Sequence, residues 1–376
     1  AILNRYAEAV TKVQQNNGLW YQVTNMPEKK GNYPEASASS MIVYTLAKGV
    51  RLGYLPSKFL KNAEDGYKGI LQEFIEEDNQ GHVNLNGTVK VSGLGGKPYR
   101  DGSFEYYMSE PVIQNDPKGI GAFIQCAVEM EMLPNLKFAK GKKVVLDYYY
   151  NNEKRENLLG QQERYHYIWE EQDNGGYSLL GYIFQSYGAQ TASLSVKPTK
   201  ENLRKANVYI IVDPDTEKET NNPNYIQKPE IDVIMNWVKK GGTLVLLGND
   251  AGNSEFKHFN LLANRFGIHF NEDNNLLVKN NNYEQGAVHV PQGNDVFNKP
   301  YKLYLKEISS LKVYAPAVPV LGINNLNVMA TAKYGMGKIF ALGDPWIYNE
   351  YLDGRKLPAD FQNYPAAHDW VKWLLK

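Results

Sequence analysis

The chain has 376 residues, 41 basic and 41 acidic, so its formal net charge is zero. This length supports two domains with separate hydrophobic cores. A neutral chain with dispersed basic residues is a poor match for nucleic acid. The 27 tyrosines and 6 tryptophans fit a carbohydrate-binding surface, although tyrosine is also common in mixed interiors.

Helical patterns dominate the first third of the chain. Apolar residues recur at three- and four-residue steps in four segments, which predict helices over about 2–16, 37–52, 57–74 and 117–132. Asp116 precedes Pro117 and is expected to cap the fourth helix rather than act as an acid. Between the third and fourth helices, residues 83–89 alternate like a short strand or hairpin.

Cys126 is the single cysteine and lies in an apolar part of the fourth predicted helix. No disulfide can therefore form within the chain, and we expect a buried, unreactive thiol. No apolar run reaches the roughly twenty residues that a membrane-spanning helix needs. The N-terminus lacks a signal-peptide pattern and opens in mid-helix without a capping residue, which is typical of a cut end.

The helical pattern breaks at Leu133-Pro134-Asn135, so we place a domain boundary between residues 135 and 136. Beyond it, continuous apolar runs at 144–147, 208–213 and 243–248 predict strands of a parallel sheet that is covered on both faces. Helical segments alternate with these runs. Residues 136–376 are therefore predicted to form a flavodoxin-like three-layer α/β domain.

Polar, irregular segments interrupt this second domain at 150–175 and 271–299. They are too long for simple turns, so we interpret them as ordered surface insertions or mobile loops. A late strand pair is predicted at 328–332 and 339–343, and a closing helix at about 360–375.

Five strings in the first third occur in a distinctive order: GLWYQV at 18–23, GNYPEASAS at 31–39, YTLAKGVR at 44–51, SGLGG at 92–96 and YRDGSFEYY at 99–107. They resemble the unsaturated rhamnogalacturonyl hydrolases of glycoside hydrolase family 105 and their relatives in family 88. The resemblance covers roughly residues 1–132. It implies that residues 1–135 are the C-terminal part of an (α/α)6 toroid.

The same resemblance implies a substrate and a reaction. The substrate would be an oligosaccharide with a 4,5-unsaturated uronic acid at its non-reducing end, released from pectin or rhamnogalacturonan. In these enzymes an aspartate hydrates the ring double bond, unlike the two-carboxylate displacement of ordinary glycosidases. That aspartate follows Trp-Leu in the family pattern, and the string Trp-Leu-Asp-Gly does not occur here. The catalytic acid/base is thus unknown in this chain, and a companion segment, the missing N-terminal half of the toroid, is an expected partner.

The part of the toroid present in this chain would form one wall of the substrate pocket. Arg100 is the best candidate for the uronate carboxylate, because guanidinium matches that fork geometry; the alternative is an ion pair with Asp101 or Glu105. Asp101 would support Arg100 or form an Asx turn with Gly102.

Aromatic rings and one further acid complete the set of binding candidates. Trp20 and Tyr99 are candidate sugar platforms, with core packing as the equal alternative for Trp20. Glu35 would bind a hydroxyl or, as we slightly favour, cap the helix that follows it.

In the second domain, 241–250 and 343–350 resemble glutamine-amidotransferase-like domains that accompany sugar-degrading enzymes. Amidotransferase chemistry needs a thiol, which is absent from the strand-to-helix turn at 248–250, so glutaminase activity is not expected. Polar residues mark the ends of the predicted strands, where ligands bind in such sheets, although we favour ordinary strand-end capping as their role: Asp147, Asp213, Asn249 and Asp344. The 6 histidines show no metal-ligand spacing, and no cofactor is implied.

Two hypotheses follow for the whole chain. The first is a hydrolase for unsaturated uronyl oligosaccharides with an accessory α/β domain. The alternative is a non-catalytic glycan-binding or scaffolding protein. The resemblance favours a periplasmic or secreted bacterial location, with a cytoplasmic one as the alternative. The expected partner molecule is an oligosaccharide, with no role for nucleic acid or membrane.

Overall fold

The computed structural model describes residues 1–376, which divide into two compact units, Ala1–Asn135 and Leu136–Lys376. The division falls where Leu133-Pro134-Asn135 interrupts the helical pattern. No helix in either unit combines the length and the apolar character needed to cross a membrane.

The first unit contains five helices and four short strands. The helices are α1 (Ile2–Lys12), α2 (Ala36–Arg51), α3 (Leu60–Glu73), α4 (Phe104–Ser109) and α5 (Pro117–Met132). The strands are β1 (Ile75–Glu77), β2 (Val83–Leu85), β3 (Thr88–Val89) and β4 (Val112–Ile113). Helix α1 is shorter than predicted, and α4 was not predicted.

Helix α4 forms because Ser103 caps it: the Ser103 hydroxyl accepts a hydrogen bond from the Tyr106 amide at 3.1 Å. The predicted cap of α5 is confirmed, since Asp116 accepts from the Lys118 amide at 3.0 Å. The predicted alternating segment 83–89 forms strand β2 and strand β3, which pair with β1 and β4 respectively.

The core of the first unit lies where α2 packs against α3 and α5. Cys126 is part of this core and is fully buried, as expected, and burial raises the pKa of its thiol to about 12. The buried members of this core include Trp20, Phe59, Val43, Leu46 and Ile70.

The second unit contains five helices and thirteen strands. The helices are α6 (Ser178–Ser186), α7 (Lys200–Leu203), α8 (Lys228–Lys239), α9 (Phe256–Ala263) and α10 (Asn363–Leu375). The strands are β5 (Lys143–Asp147), β6 (Lys154–Glu156), β7 (Gln162–Arg164), β8 (Gln190–Leu194), β9 (Val208–Val212), β10 (Thr243–Leu247), β11 (Ile268–Phe270), β12 (Ala287–Val290), β13 (Tyr301–Tyr304), β14 (Leu311–Val313), β15 (Ala317–Ile323), β16 (Leu326–Tyr334) and β17 (Gly337–Leu342).

Nine of these strands form one sheet, in which β8, β5, β9, β10 and β17 are parallel neighbours. Counted along the chain, the five parallel strands stand in the order 2-1-3-4-5, the order of flavodoxin-like folds. Antiparallel strands extend the sheet beyond β17: β16, which pairs with β15 as well, then β14 and β11.

Each face of the sheet carries its own hydrophobic layer. Val208 and Ile210 of β9 pack on the side of α6 and α10, whereas Tyr209 and Ile211 pack on the side of α8 and α9. Because both faces of the sheet are buried, successive residues of these strands are all apolar, and the strands appear in the sequence as continuous hydrophobic runs.

The two polar insertions are ordered in part. Segment 150–175 contains the hairpin of β6 and β7, and segment 271–299 contains β12, which pairs with β13 outside the main sheet. The interpretation as ordered insertions therefore holds for these strands.

Candidate functional site

Three of the five candidate binding residues of the first unit, Tyr99, Arg100 and Asp101, lie in one excursion, residues 90–111, which we call the 90–111 segment. Its base is closed by the two-residue ladder of β3 and β4 and by the Lys90 amide, which donates to the Pro111 carbonyl at 2.8 Å. The segment itself contains a glycine-rich turn followed by α4.

Arg100 closes the glycine-rich turn. Its backbone exchanges two hydrogen bonds with Gly95, at 2.8 and 3.1 Å, and its Nε donates to the Gly95 carbonyl at 3.2 Å. The guanidinium lies against Gly93 and Gly96, where an added Cβ would come within 2.8 and 2.9 Å of its terminal nitrogens. The glycines therefore leave room for the guanidinium.

No carboxylate neutralises this guanidinium. The alternative ion pair with Asp101 or Glu105 is absent, because Glu105 pairs with Lys29 at 3.2 Å and Asp101 faces its own turn. Arg100 is thus a partly buried cation whose terminal N–H groups keep their capacity to donate to an anion.

Asp101 forms a local turn. Its Oδ1 accepts from the Ser103 amide at 2.9 Å, and this backbone hydrogen bond is the main reason that its pKa is lowered. The prediction that Asp101 supports Arg100 is wrong. The turn interpretation holds, with the amide of Ser103 as the partner.

Tyr99 and Trp20 have opposite environments. Tyr99 is 80% exposed, so its ring is available to a ligand. Trp20 is 0% exposed, and its Nε1 donates to the Val10 carbonyl at 2.8 Å in the core. The prediction of a sugar platform at Trp20 is therefore wrong, because no face of its ring is open.

Glu35 is likewise a structural residue. Its carboxylate is 1% exposed and accepts from the Ala38 amide at 2.6 Å, which caps α2, and from the Val89 amide at 3.1 Å. The Ser37 hydroxyl donates to the same carboxylate. Glu35 cannot bind a sugar hydroxyl in this arrangement, and the cap that we favoured is confirmed.

Tyr33 was missed at the level of sequence. Its hydroxyl is enclosed and has no hydrogen-bond partner. Burial, followed by the negative charges of Glu35 and Glu110, raises the pKa of Tyr33 to about 12. An unpartnered hydroxyl beside acids is a signal that only the folded chain provides.

The 90–111 segment, which we expected to form one wall of a substrate pocket, is an open surface. Among the clefts of the two units, five have volumes of about 340 to 690 Å³, and Tyr99, Arg100 and Asp101 line none of these five. A cleft of about 450 Å³ in the first unit is lined by the amide-rich ends of α1 and α3, including Gln14 and Asn62. The 90–111 segment therefore offers a surface for a ligand, not an enclosed site.

At the carboxyl edge of the second unit's sheet, Asp147 and Asp344 cap loops. Asp147 accepts from the amides of Tyr149 and Tyr150 at 3.0 and 2.6 Å, and burial raises its pKa to about 6. Asp344 accepts from the amides of Lys306 and Trp346 at 3.1 and 2.7 Å, and burial raises its pKa to about 7. The capping interpretation holds for both.

Asp213 and Asn249 are joined. The Asn249 amide donates to Asp213 Oδ2 at 2.9 Å, and burial raises the pKa of Asp213 well above its ordinary value. Asp213 also has a φ of 41°, in the left-handed region. The neighbouring turn at 248–250 carries no nucleophilic thiol. No group of three or more His, Cys, Asp or Glu residues is arranged to hold a metal ion.

Comparison with known proteins shows a family similarity for the first unit. Residues 1–134 match the sequence model of the family described as Glycosyl Hydrolase Family 88. This similarity covers the unit that contains Arg100 and ends at the boundary between the two units.

Individual relatives match a similar share of the chain. Protein Atu3128 of Agrobacterium fabrum and the 24.9 kDa protein in the picA locus of Rhizobium radiobacter are each 40% identical to this chain over 126 residues. The match covers 32% of this chain and 54% of each relative, so the chain spans about half of their length. A glycoside hydrolase from family 105 of C. acetobutylicum is 55% identical over 33% of this chain and 35% of its own, with a TM-score of 0.33.

Proposed function

We propose that this chain is part of a glycoside hydrolase that acts on oligosaccharides with a 4,5-unsaturated uronic acid at the non-reducing end. Such substrates arise in the breakdown of pectin and rhamnogalacturonan. The similarity of residues 1–134 to glycoside hydrolase family 88 carries this proposal. The whole reaction requires more of the enzyme than this segment contains.

Arg100 is the proposed contact for the uronate carboxylate. Its guanidinium is held by the turn at Gly95 and lies against two glycines, so its position is fixed before a ligand arrives. It has no carboxylate partner of its own, so binding a uronate would not require an ion pair to break. Tyr99, exposed beside it in the chain, is the proposed ring contact.

The proton donor for the hydration step is proposed to come from a companion segment, the N-terminal half of the toroid. The exposed acids of the 90–111 segment are unsuitable for this role. The pKa values of Asp101 and Glu105 are lowered, in both cases chiefly by backbone hydrogen bonds, so both remain ionised at neutral pH. A general acid needs a pKa near the working pH.

A second candidate function is non-catalytic binding of a glycan or of a partner protein. The open surface at Tyr99 and Arg100 favours it, because catalysis of this kind needs an enclosed site from which water is controlled. In this alternative the first unit would bind sugar without turning it over.

The purified chain distinguishes the two candidates when it is given an unsaturated rhamnogalacturonan disaccharide. Turnover removes the ultraviolet absorbance of the conjugated double bond, and binding is measured by calorimetry. We expect Arg100→Ala to weaken capture of the disaccharide by at least about tenfold, with Arg100→Lys intermediate. Arg5→Ala, at an exposed arginine of α1, is the matched control.

Turnover by the chain, alone or together with the companion segment that is proposed to supply the proton donor, supports the hydrolase. Binding without turnover in both cases supports the second candidate. Equal capture by the parent and by Arg100→Ala would show that the carboxylate binds elsewhere.

For the second unit we propose an accessory, amidotransferase-like role without glutaminase chemistry, because the turn at 248–250 has no thiol. No cofactor is proposed. A periplasmic or secreted location is proposed by analogy with enzymes that degrade external polysaccharides, and fractionation of the producing cells tests it.

A further inference from the structure

A groove opens at the carboxyl edge of the parallel sheet in the second unit. It comprises two adjoining clefts of about 690 and 340 Å³, which share Arg155, Glu171 and Asp173 in their walls. The larger cleft lies between the β6–β7 hairpin and the ends of β5 and β8. Ligands in open parallel sheets bind outside the carboxyl ends of the strands, and clefts of this size suit one or two sugar rings. We call these two clefts together the Arg164 groove.

Arg164 is held in place without being neutralised. Its Nη1 donates to the Tyr148 carbonyl at 2.7 Å, and its guanidinium lies over the Tyr148 ring at 5.1 Å from the centroid. No carboxylate lies within ion-pair distance of it. A guanidinium that is stacked and oriented but unpaired is suited to bidentate binding of a carboxylate.

Arg155, in the same groove, provides the contrast. It pairs with Glu163 at 2.9 Å, Glu171 at 3.3 Å and Asp173 at 3.7 Å, so three carboxylates already surround its single positive charge. An anion entering the groove would therefore meet Arg164 as the available cation.

A hydrogen-bond acceptor is fixed on the same wall. The Tyr148 hydroxyl, on a residue that is 5% exposed, accepts from the Trp169 amide at 2.6 Å and donates to Glu170 Oε2 at 2.7 Å. The buried tyrosine thus positions both charged groups: its backbone and ring hold Arg164, and its hydroxyl holds Glu170. The hydroxyls of a sugar both donate and accept hydrogen bonds, so a groove lined by the donor Arg164 and the acceptor Glu170 matches them.

We propose that the Arg164 groove is a second saccharide site, in which Arg164 binds a uronate carboxylate and Glu170 accepts a hydroxyl of the same sugar. The choice of a uronic acid as the ligand rests on the proposed function. The site itself is independent of Arg100 and requires no catalysis. It would hold an acidic oligosaccharide on the second unit whether or not the first unit cleaves it.

The test uses the full chain carrying Arg100→Ala, which removes the proposed site of the first unit. The probe is a rhamnogalacturonan disaccharide with a saturated galacturonate at its non-reducing end, compared with its methyl ester, and binding is measured by calorimetry. We expect the acid to bind at least about tenfold more tightly than the ester. Adding Arg164→Ala should abolish that difference, and Arg164→Lys should restore part of it. Arg204→Ala, at an exposed and unpaired arginine of α7's C-terminal end, is the control.

Equal affinities for the acid and the ester, an unchanged difference in Arg164→Ala, or no binding of either probe in the millimolar range would each overturn the proposal. Turnover of the unsaturated disaccharide is assayed separately on Arg164→Ala alone. Absence of turnover by the parent chain, both alone and with the companion segment, together with retained binding at Arg164, would remove the hydrolase proposal and leave the saccharide site standing.

Discussion

Substitution of Glu35 by alanine removes a carboxylate that both caps α2 and accepts a hydrogen bond from the Val89 amide. The backbone amides of Ala38 and Val89 and the hydroxyl of Ser37 all donate to it, and Val89 is itself buried. An unsatisfied buried donor costs about 1–3 kcal/mol, and the loss of a helix cap about 1 kcal/mol. We therefore expect Glu35→Ala to destabilise the first unit by about 3 kcal/mol.

Hydrogen exchange measured by mass spectrometry suits this prediction, because it reports on α2 separately from the second unit. A loss of about 3 kcal/mol corresponds to exchange that is roughly a hundredfold faster or more in the α2 peptides. Asp116→Ala is the matched control: it also removes an N-cap acid, but one whose main partners are the amide and the ammonium group of Lys118 rather than buried donors. We expect it to cost about 1 kcal/mol, expressed in α5.

Equal acceleration by the two substitutions would refute the reasoning, since it would mean that the buried donors next to Glu35 find other partners. Glu35→Gln retains the shape and one acceptor oxygen, so its effect should lie between those of the parent and the alanine variant.

Three further predictions concern the Arg100 turn, a buried acid and a buried ion pair. Gly93→Ala should weaken uronide binding in calorimetry without lowering the melting temperature, because the new Cβ would meet the Arg100 guanidinium at about 2.8 Å. Asp344 has a folded-state pKa of about 7, above its ordinary value of 3.8, so its contribution to stability is complete below about pH 4 and is lost as the pH rises towards 7; Asp344→Asn should flatten urea-unfolding stability over that window. Glu129→Ala should cost about 2–3 kcal/mol in the same measurement, because it removes the largely buried carboxylate that accepts two hydrogen bonds from Arg51.

Each of these has a control in the chain. Gly121→Ala in α5 places its Cβ in open space and should leave binding unchanged. Asp360→Asn removes an exposed acid whose pKa is lowered, chiefly by a hydrogen bond from Lys302, so it should not flatten the same pH window. Glu8→Ala removes the exposed partner of Lys58 and should cost well under 1 kcal/mol. Matching effects in a variant and its control would argue against the mechanism given.

The parallel strands of the second unit were predictable because both of their faces are buried, so Val208 and Tyr209 are equally apolar positions although they point to opposite layers. Capping was predictable at Asp116 and Glu35 because it depends on residues two or three positions away. Helix α4 was not, since the glycines and aromatic residues around it favour a loop and a single serine decides the outcome.

For the site residues, burial was the main property that could not be predicted from local sequence patterns. Trp20 lies in a string shared with a carbohydrate-active family, yet its ring faces the core because α2 and α3 close over it. Arg164 lies in a polar insertion with no periodicity, and its value as a binding residue depends on Tyr148, sixteen positions earlier. Only the fold reveals which of several arginines lacks an acid.

Cys126, the single thiol of the chain, lies in the core of the first unit, so its reactivity reports local opening of that unit. Because Cys126 is enclosed and resists ionisation, an alkylating reagent can reach it only while α5 is detached from its neighbours. The second unit has no cysteine to compete for the reagent. The rate of alkylation therefore measures opening of the first unit without a contribution from the second, and no engineered label is needed.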